Sequence, residues 1–184
     1  MPFEFKIASI NDIILIKTKR STDNRGLFIK GYEMVQFKKF IHKRFEEDYV
    51  SQSKKNVLRG LHYQIEPKAQ GKLITVIAGR IIDVALDIRT GSETFGKYSM
   101  NELKAEEWDS IWIPPGFAHG FLSLDDNSTV LNRTTECFDP NLERGIRWND
   151  PYFAIKWPLF NPILSPKDGL WKLWERTESN LSAV

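Results

Sequence analysis

The 184-residue chain has one cysteine, three histidines and no apolar run approaching the ~20 residues of a membrane span. A lone cysteine, Cys137, excludes an intramolecular disulfide and fits a protein of the reducing cytoplasm. Zinc or non-haem iron would need three or four N, O or S ligands, and no His-x-His, Cys pair or His-x-x-x-His occurs. No metal is expected. Walker-type and dinucleotide-type glycine loops are missing, as is the G-x-S-x-G elbow of serine hydrolases. Charge of one sign is not in excess either: 26 basic residues stand against 24 acidic ones, a net charge of +2. The one charge-rich run, "KKFIHKRFEED" (38–48), alternates in sign and reads as a solvated helix face. Neither a nucleic-acid partner nor a membrane is expected. The opening "MPFEFKIASIND" is too acidic and interrupted to read as a signal peptide.

Short β-like segments are plentiful. "IILIKT" (13–18), "LITVIAG" (73–79), "IIDVALDI" (81–88), "SIWIPP" (110–115) and "TVLNRTT" (129–135) alternate with turn signals such as "STDNRG", "RTGSETFG" and "DPNLERG". This punctuation predicts an all-β sandwich or barrel. Asp83 and Asp87 interrupt "IIDVALDI", as in a sheet with one solvated or polar-lined face. Two segments read as helical: Met34–Phe45, and Gly169–Arg176 with Trp171 and Trp174 at i, i+3. Without repeats or a linker, residues 1–184 are expected to form a single domain with a C-terminal helical tail. Six tryptophans and twelve phenylalanines suit core or dimer packing, and a homodimer is expected on general grounds.

One stretch resists this reading. "NVLRGLHYQ" (56–64) places arginine, glycine and histidine within a strand. Arg59 and His62 are costly inside a sheet unless each meets a charge or a ligand, and Gly60 weakens a strand unless something approaches its backbone. The segment is either an edge strand facing solvent or the floor of a polar pocket. His42 sits in the charged run and reads as a surface residue, whereas His62 and His119 each lie beside glycine in apolar company. Taken singly, each reads as a hydrogen-bonded structural histidine. What remains for chemistry is basic residues for phosphates, histidines for proton transfer, and carboxylates to orient them.

"DNRGLF" (23–28), "VLRGLHYQ", "QGKLITVIAGRIIDVALDIRTGSETFGKY", "WIPPGFAHGF", "RGIRWNDP" and "ILSPKD" (163–168) resemble, in order and spacing, the dTDP-4-dehydrorhamnose 3,5-epimerase family. The resemblance implies a cupin-type jelly roll with short flanking helices. It also implies epimerisation beside the ketone of a nucleoside-diphosphate 4-keto-6-deoxyhexose, with no cofactor. In that family His62 matches the base, Asp168 its partner carboxylate, and Lys72 the cation near O4. Arg59 and His119 match residues that grip the phosphates or sugar, and Gln64, which closes the same motif, is expected to bind substrate with them. Arg25 and Phe28 match a strand that crosses from the neighbouring subunit to the nucleotide, and Phe138 matches an aromatic near the nucleotide.

Two positions depart from the pattern. Asn132 stands where the family has a second proton-transfer residue, a tyrosine, and an amide cannot deliver a proton as a phenol does. A water held by Asn132, Cys137 or Tyr63 are the substitutes in view. Lys30 replaces a glutamate, and since it only donates, an altered base preference is a second expectation. Loss of the tyrosine makes a C3-only epimerase an alternative. A 3,4-ketoisomerase and a non-catalytic nucleotide-sugar binder are the other two.

Overall fold

The computed structural model describes residues 2–174. The strands follow in chain order: β1 (Phe3–Ile7), β2 (Ile14–Thr18), β3 (Arg20–Asp23), β4 (Gly26–Ile29), β5 (Glu47–Ser53), β6 (Leu58–Gln64) and β7 (Lys72–Ala78). They continue with β8 (Arg80–Asp87), β9 (Tyr98–Lys104), β10 (Ser110–Ile113), β11 (Phe117–Ser123), β12 (Ser128–Thr134) and β13 (Glu143–Gly145). Two single-turn helices, α1 (Met34–Phe37) and α2 (Pro166–Gly169), flank them.

Six strands form one sheet in the order β1-β2-β10-β7-β12-β5, and five form another, β13-β6-β11-β8-β9. Their ladders are antiparallel, and the sheets face each other as a jelly-roll sandwich. β3 and β4 make a separate hairpin.

The period of two in the side chains decides where each residue goes. On β8, Ile81 and Ala85 enter the core between the sheets with Ile74, Val76, Ile111, Phe117 and Val130. The alternate residues, Ile82, Val84 and Leu86, pack outward under Ile146, Phe153 and Trp157. Both faces of this strand are covered, so of the two expected alternatives the solvated face is absent, while the polar one survives where Asp83 bonds His119 at the wall of a cavity. Asp83 and Asp87 are fully buried. Asp83 meets a partner through one carboxylate oxygen only, whereas Asp87 is well supplied. Asp87 accepts from Arg89, Ser92 and Thr94 in the following loop. The hydrogen bonds there outweigh the upward push of burial and hold its carboxyl below the ordinary range.

Both helix expectations fail in extent. Phe37 and Ile41 are buried at helical spacing beneath Phe3, Ile16 and Trp112, but one helical turn and a following turn satisfy them. The chain then joins the sheet edge, where the Glu46 N–H bonds the Thr134 carbonyl. "KKFIHKRFEED" is therefore a loop running into β5, with His42 exposed as expected. At the other end the helix ends at Gly169, and residues 170–174 are not helical. Residues 175–176 of the expected tail lie outside the described residues. The Arg147 N–H bonds the Lys172 carbonyl, and Trp174 packs on Phe95 and Phe153. The tryptophan spacing came from packing on the sheet, not from a helix.

Candidate active site

β6 and β11 pair with His62 opposite His119 and Arg59 opposite Phe121. Between these pairs β6 advances by three residues and β11 by two, so β6 carries a bulge. Residues three apart on a regular strand face opposite ways. The bulge brings Arg59 and His62 onto one face, where they line a cavity with His119 and Phe121. Gly60 has φ +114°, and a Cβ there would stand 2.6 Å from the His119 carbonyl oxygen. The glycine admits the neighbouring strand rather than a ligand.

A cleft opens between the sheets in two lobes. One, of about 290 Å³, is lined by Glu47, Gln64, Gln70, Phe138 and Glu143. The other, of about 250 Å³, holds Arg59, His119, Asn132, Ser165, Lys167 and Asp168. Tyr49, His62 and Lys72 line both and so mark their junction.

His62 Nε2 lies 2.5 Å from Asp168 Oδ1. Asp168 is placed by α2: Ser165 caps the helix, its Oγ accepting the Asp168 N–H at 3.0 Å. Trp171 Nε1–H also donates to Asp168 Oδ1, at 3.3 Å, and the indole stands edge-on to the imidazole. Gly145 leaves room for that indole, because any Cβ there would collide with it. Burial pushes the Asp168 carboxyl up, yet the bonds from His62, Ser165 and Trp171 and the nearby imidazole bring it below the ordinary carboxylate range. An ionised Asp168 accepts the Nε2–H of His62, which leaves Nδ1 as the basic atom.

A second pair lies alongside. His119 Nε2 is 2.7 Å from Asp83 Oδ2, and both residues are buried. The opposite wall, the six-stranded sheet, carries Lys72. Burial lowers its ammonium to about 8 against pull from Glu143 and Asp83 in the other direction. Arg59 is steadied by Ser53 Oγ at 2.9 Å and the Gln52 carbonyl at 3.0 Å. Among the described residues neither Lys72 nor Arg59 pairs with a carboxylate, leaving both cations for an anionic guest.

The expected residues divide clearly. His62, Asp168, Lys72, Asn132, Arg59, His119, Gln64 and Phe138 all reach the cleft. Gln64, however, spends its amide on the protein: Nε2 donates to the Lys68 and Cys137 carbonyls, and Oε1 accepts the Asp139 N–H. It positions the loop that carries Phe138. Cys137 lines a different depression with Lys43 and Arg44. Tyr63 touches the first lobe, but its side chain is buried in the five-stranded sheet's cluster with Leu61 and Leu86. Arg25, Phe28 and Lys30 stay away from both lobes. Arg25 pairs with Asp23 on the exposed β3–β4 hairpin, and Lys30 pairs with Glu33 at 3.7 Å.

Tyr49, Glu47, Glu143, Lys167 and Trp171 were not anticipated. The signal for the first two was the alternation of Glu47, Tyr49 and Ser51 along "EDYVSQS", hidden by reading the preceding run as helix. Tyr49 pairs directly with Asn132 across β5 and β12, so the two side chains share the inner face of that wall.

Residues 8–176 match the family model described as dTDP-4-dehydrorhamnose 3,5-epimerase. A protein of that description from Shigella flexneri is 44% identical over 161 residues, covering 86% of this chain and 89% of its own. One from Neisseria gonorrhoeae is 44% identical over 174 residues, covering 94% of this chain; the match spans only 53% of that longer protein. Among solved structures, a 3,5-epimerase from Legionella pneumophila in complex with dTDP-4-keto-L-rhamnose superposes with a TM-score of 0.89. It is 40% identical and the match covers 93% of this chain and 92% of that one. By sequence and by architecture, the chain belongs to the dTDP-4-dehydrorhamnose 3,5-epimerase family.

Proposed function

We propose that this protein epimerises a dTDP-linked 4-keto-6-deoxyhexose at C3 and C5. The observation that carries the reading is the His62–Asp168 pair facing Lys72 across the junction of the lobes. The ketone acidifies the flanking C–H bonds, because the electron pair left behind delocalises onto O4. His62 Nδ1 takes the proton while Asp168 holds the imidazole in the productive tautomer and stabilises the imidazolium. The Lys72 ammonium stands where the enolate oxygen develops charge. Arg59 offers a guanidinium to the diphosphate, His119 a ring to the sugar, and Phe138 a face to the base. No step requires a redox carrier or a metal.

The exposed hairpin supports a homodimer in which Arg25, Phe28 and Lys30 serve the partner's cleft, since Phe28 is 70% exposed, a large apolar ring left open to solvent. No helix of the described residues is long and apolar enough to cross a membrane. The single cysteine, Cys137, suits a reducing compartment, and on that ground we place the reaction in the cytoplasm. A C3-only reaction is the second reading, favoured by Asn132.

The test is exchange in D₂O with dTDP-4-keto-6-deoxyglucose, followed by NMR. Deuterium at C3 and C5 with inverted product is expected, and His62→Ala abolishes both. Label and inversion at C3 alone would establish the second reading. No exchange at either carbon would overturn the proposal.

A further inference from the structure

Inversion has a stereochemical requirement beyond the base. The proton must return from the ring face opposite His62, so the donor must stand on the opposite wall. His62 lies on the five-stranded sheet, and the six-stranded wall presents Lys72, Asn132, Ser51 and Tyr49 to the cleft. An amide does not ionise usefully and an alkyl hydroxyl is a far weaker acid than a phenol. The Lys72 ammonium serves the enolate oxygen, not the carbon. We infer that Tyr49 is the proton donor of this enzyme, its phenol displaced by one strand from Asn132 on the same wall.

Three observations place it. Tyr49 lines both lobes at their junction, as do His62 and Lys72. Its register partner is Asn132, and directly opposed residues of an antiparallel pair stand about 4.5–5.5 Å apart. Among the described residues its hydroxyl has no hydrogen-bond partner, so the O–H is available to a substrate. Tyr49 is 43% exposed at the cleft, and the surroundings keep the proton on: partial desolvation raises the phenol, as do Glu47 and Glu143, and Arg59 opposes them. A phenol held neutral at working pH is an acid ready to discharge into an enolate carbon, a much stronger base than phenolate.

The step balances. His62 Nδ1 removes the ring proton, the C–H pair forms the enolate double bond, and the carbonyl π pair moves to oxygen. The oxygen pair then re-forms the carbonyl as the carbon takes the Tyr49 proton on the opposite face. The phenolate recovers a proton from water, and the imidazolium releases one to water.

This inference rests on the epimerase reading, and one experiment separates the two. Wild type, Tyr49→Phe, Lys72→Met and the exchange variant Tyr49→Asn/Asn132→Tyr are incubated with dTDP-4-keto-6-deoxyglucose in D₂O. Deuterium at the reacting carbon and configuration there are read separately by NMR. Tyr49→Phe should keep deuterium uptake with retained configuration, because His62 can return an exchanged proton to its own face. Inverted product should fall by about 10²–10⁴-fold. Lys72→Met should lose uptake and inversion together, since enolate formation itself fails. The exchange variant should regain inverted product. A merely structural role for Tyr49 would lower uptake and inversion in step, which would overturn the inference, as would inversion by Tyr49→Phe within twofold of wild type. Absence of both signals in the wild type would remove the epimerase reading, and this inference with it.

Discussion

The two walls of the cleft are built on different principles. On the five-stranded side each imidazole is already engaged: His62 with Asp168 and His119 with Asp83. On the six-stranded side Lys72 and Tyr49 make no direct ion pair or side-chain hydrogen bond among the described residues, and carboxylates act on Lys72 only from a distance. One wall is organised before substrate arrives, which is what a base needs if its tautomer and aim are to be set. The other leaves a cation and a phenol unclaimed, so that charge developing on the substrate is what satisfies them. Even the two histidine pairs differ. The His62 side chain is 27% exposed and the His119 side chain 6%, so only the first can readily receive a proton from a guest.

The largest break of this contrast is His62→Ala. It removes the base from the organised wall and should lower turnover toward the full ~10⁴-fold worth of a general base, with ligand affinity kept. His119→Ala, measured beside it, should cost far less. Equal losses would erase the distinction between the pairs.

Asp168→Asn comes next, at about 10²-fold in kcat. Its amide can turn Nδ2 toward His62, making Nε2 the acceptor and leaving the proton on Nδ1, where the base should be bare. The carboxylate also draws on Trp171 and Ser165, so unfolding free energy should fall by ~1–3 kcal/mol. Since folding lowers this carboxyl, that stability is present above the ordinary carboxylate range and is lost as pH falls through the folded value. A denaturant titration at pH 7 beside the rate measurement checks both. Undiminished kcat would remove Asp168 from the mechanism.

The unclaimed wall has its own signature. Lys72 is lowered to about 8 from an ordinary value of 10.5. Above pH 8 the rate should fall by about tenfold per unit as the ammonium deprotonates. Stability should move the other way. Between about 8 and 10.5 the unfolded chain binds more protons than the folded one, so unfolding free energy rises with pH across that window. Opposed slopes of rate and stability would identify Lys72; parallel slopes would mean that alkaline loss of activity is only unfolding.

How much of this was legible in the sequence differs between the walls. β7, β8, β10 and β12 were readable because their apolar residues recur with strand spacing and end at turn residues. The likeness to a family placed His62, Lys72 and Asp168, although 106 positions separate the first from the last. The bulge that turns Arg59 and His62 onto one face is a matter of pairing between β6 and β11, and local sequence does not encode it. Tyr49 escaped for a related reason. β5 is an edge strand whose outward residues are charged or exposed, so its alternation looks like solvated helix until β12 supplies the partner. Trp171 misled because i, i+3 spacing is shared by helices and by chain wrapping over a sheet.

The smallest expected effect is the one that ties the walls together. Asp83 has its Oδ2 on His119, while Oδ1 is buried with no hydrogen-bond partner. Its charge also helps to hold the Lys72 proton from across the cleft. Asp83→Asn keeps an oxygen for His119 and removes a poorly compensated buried charge, so stability should change by no more than about 1 kcal/mol. The rate at pH 7 should fall by less than about tenfold. The alkaline limb of kcat/KM, however, should move to lower pH, because Lys72 loses one of the two carboxylates that keep it charged. A limb that stays in place would mean that Glu143 alone sets the Lys72 proton, and that the pre-organised wall and the responsive one are electrostatically independent.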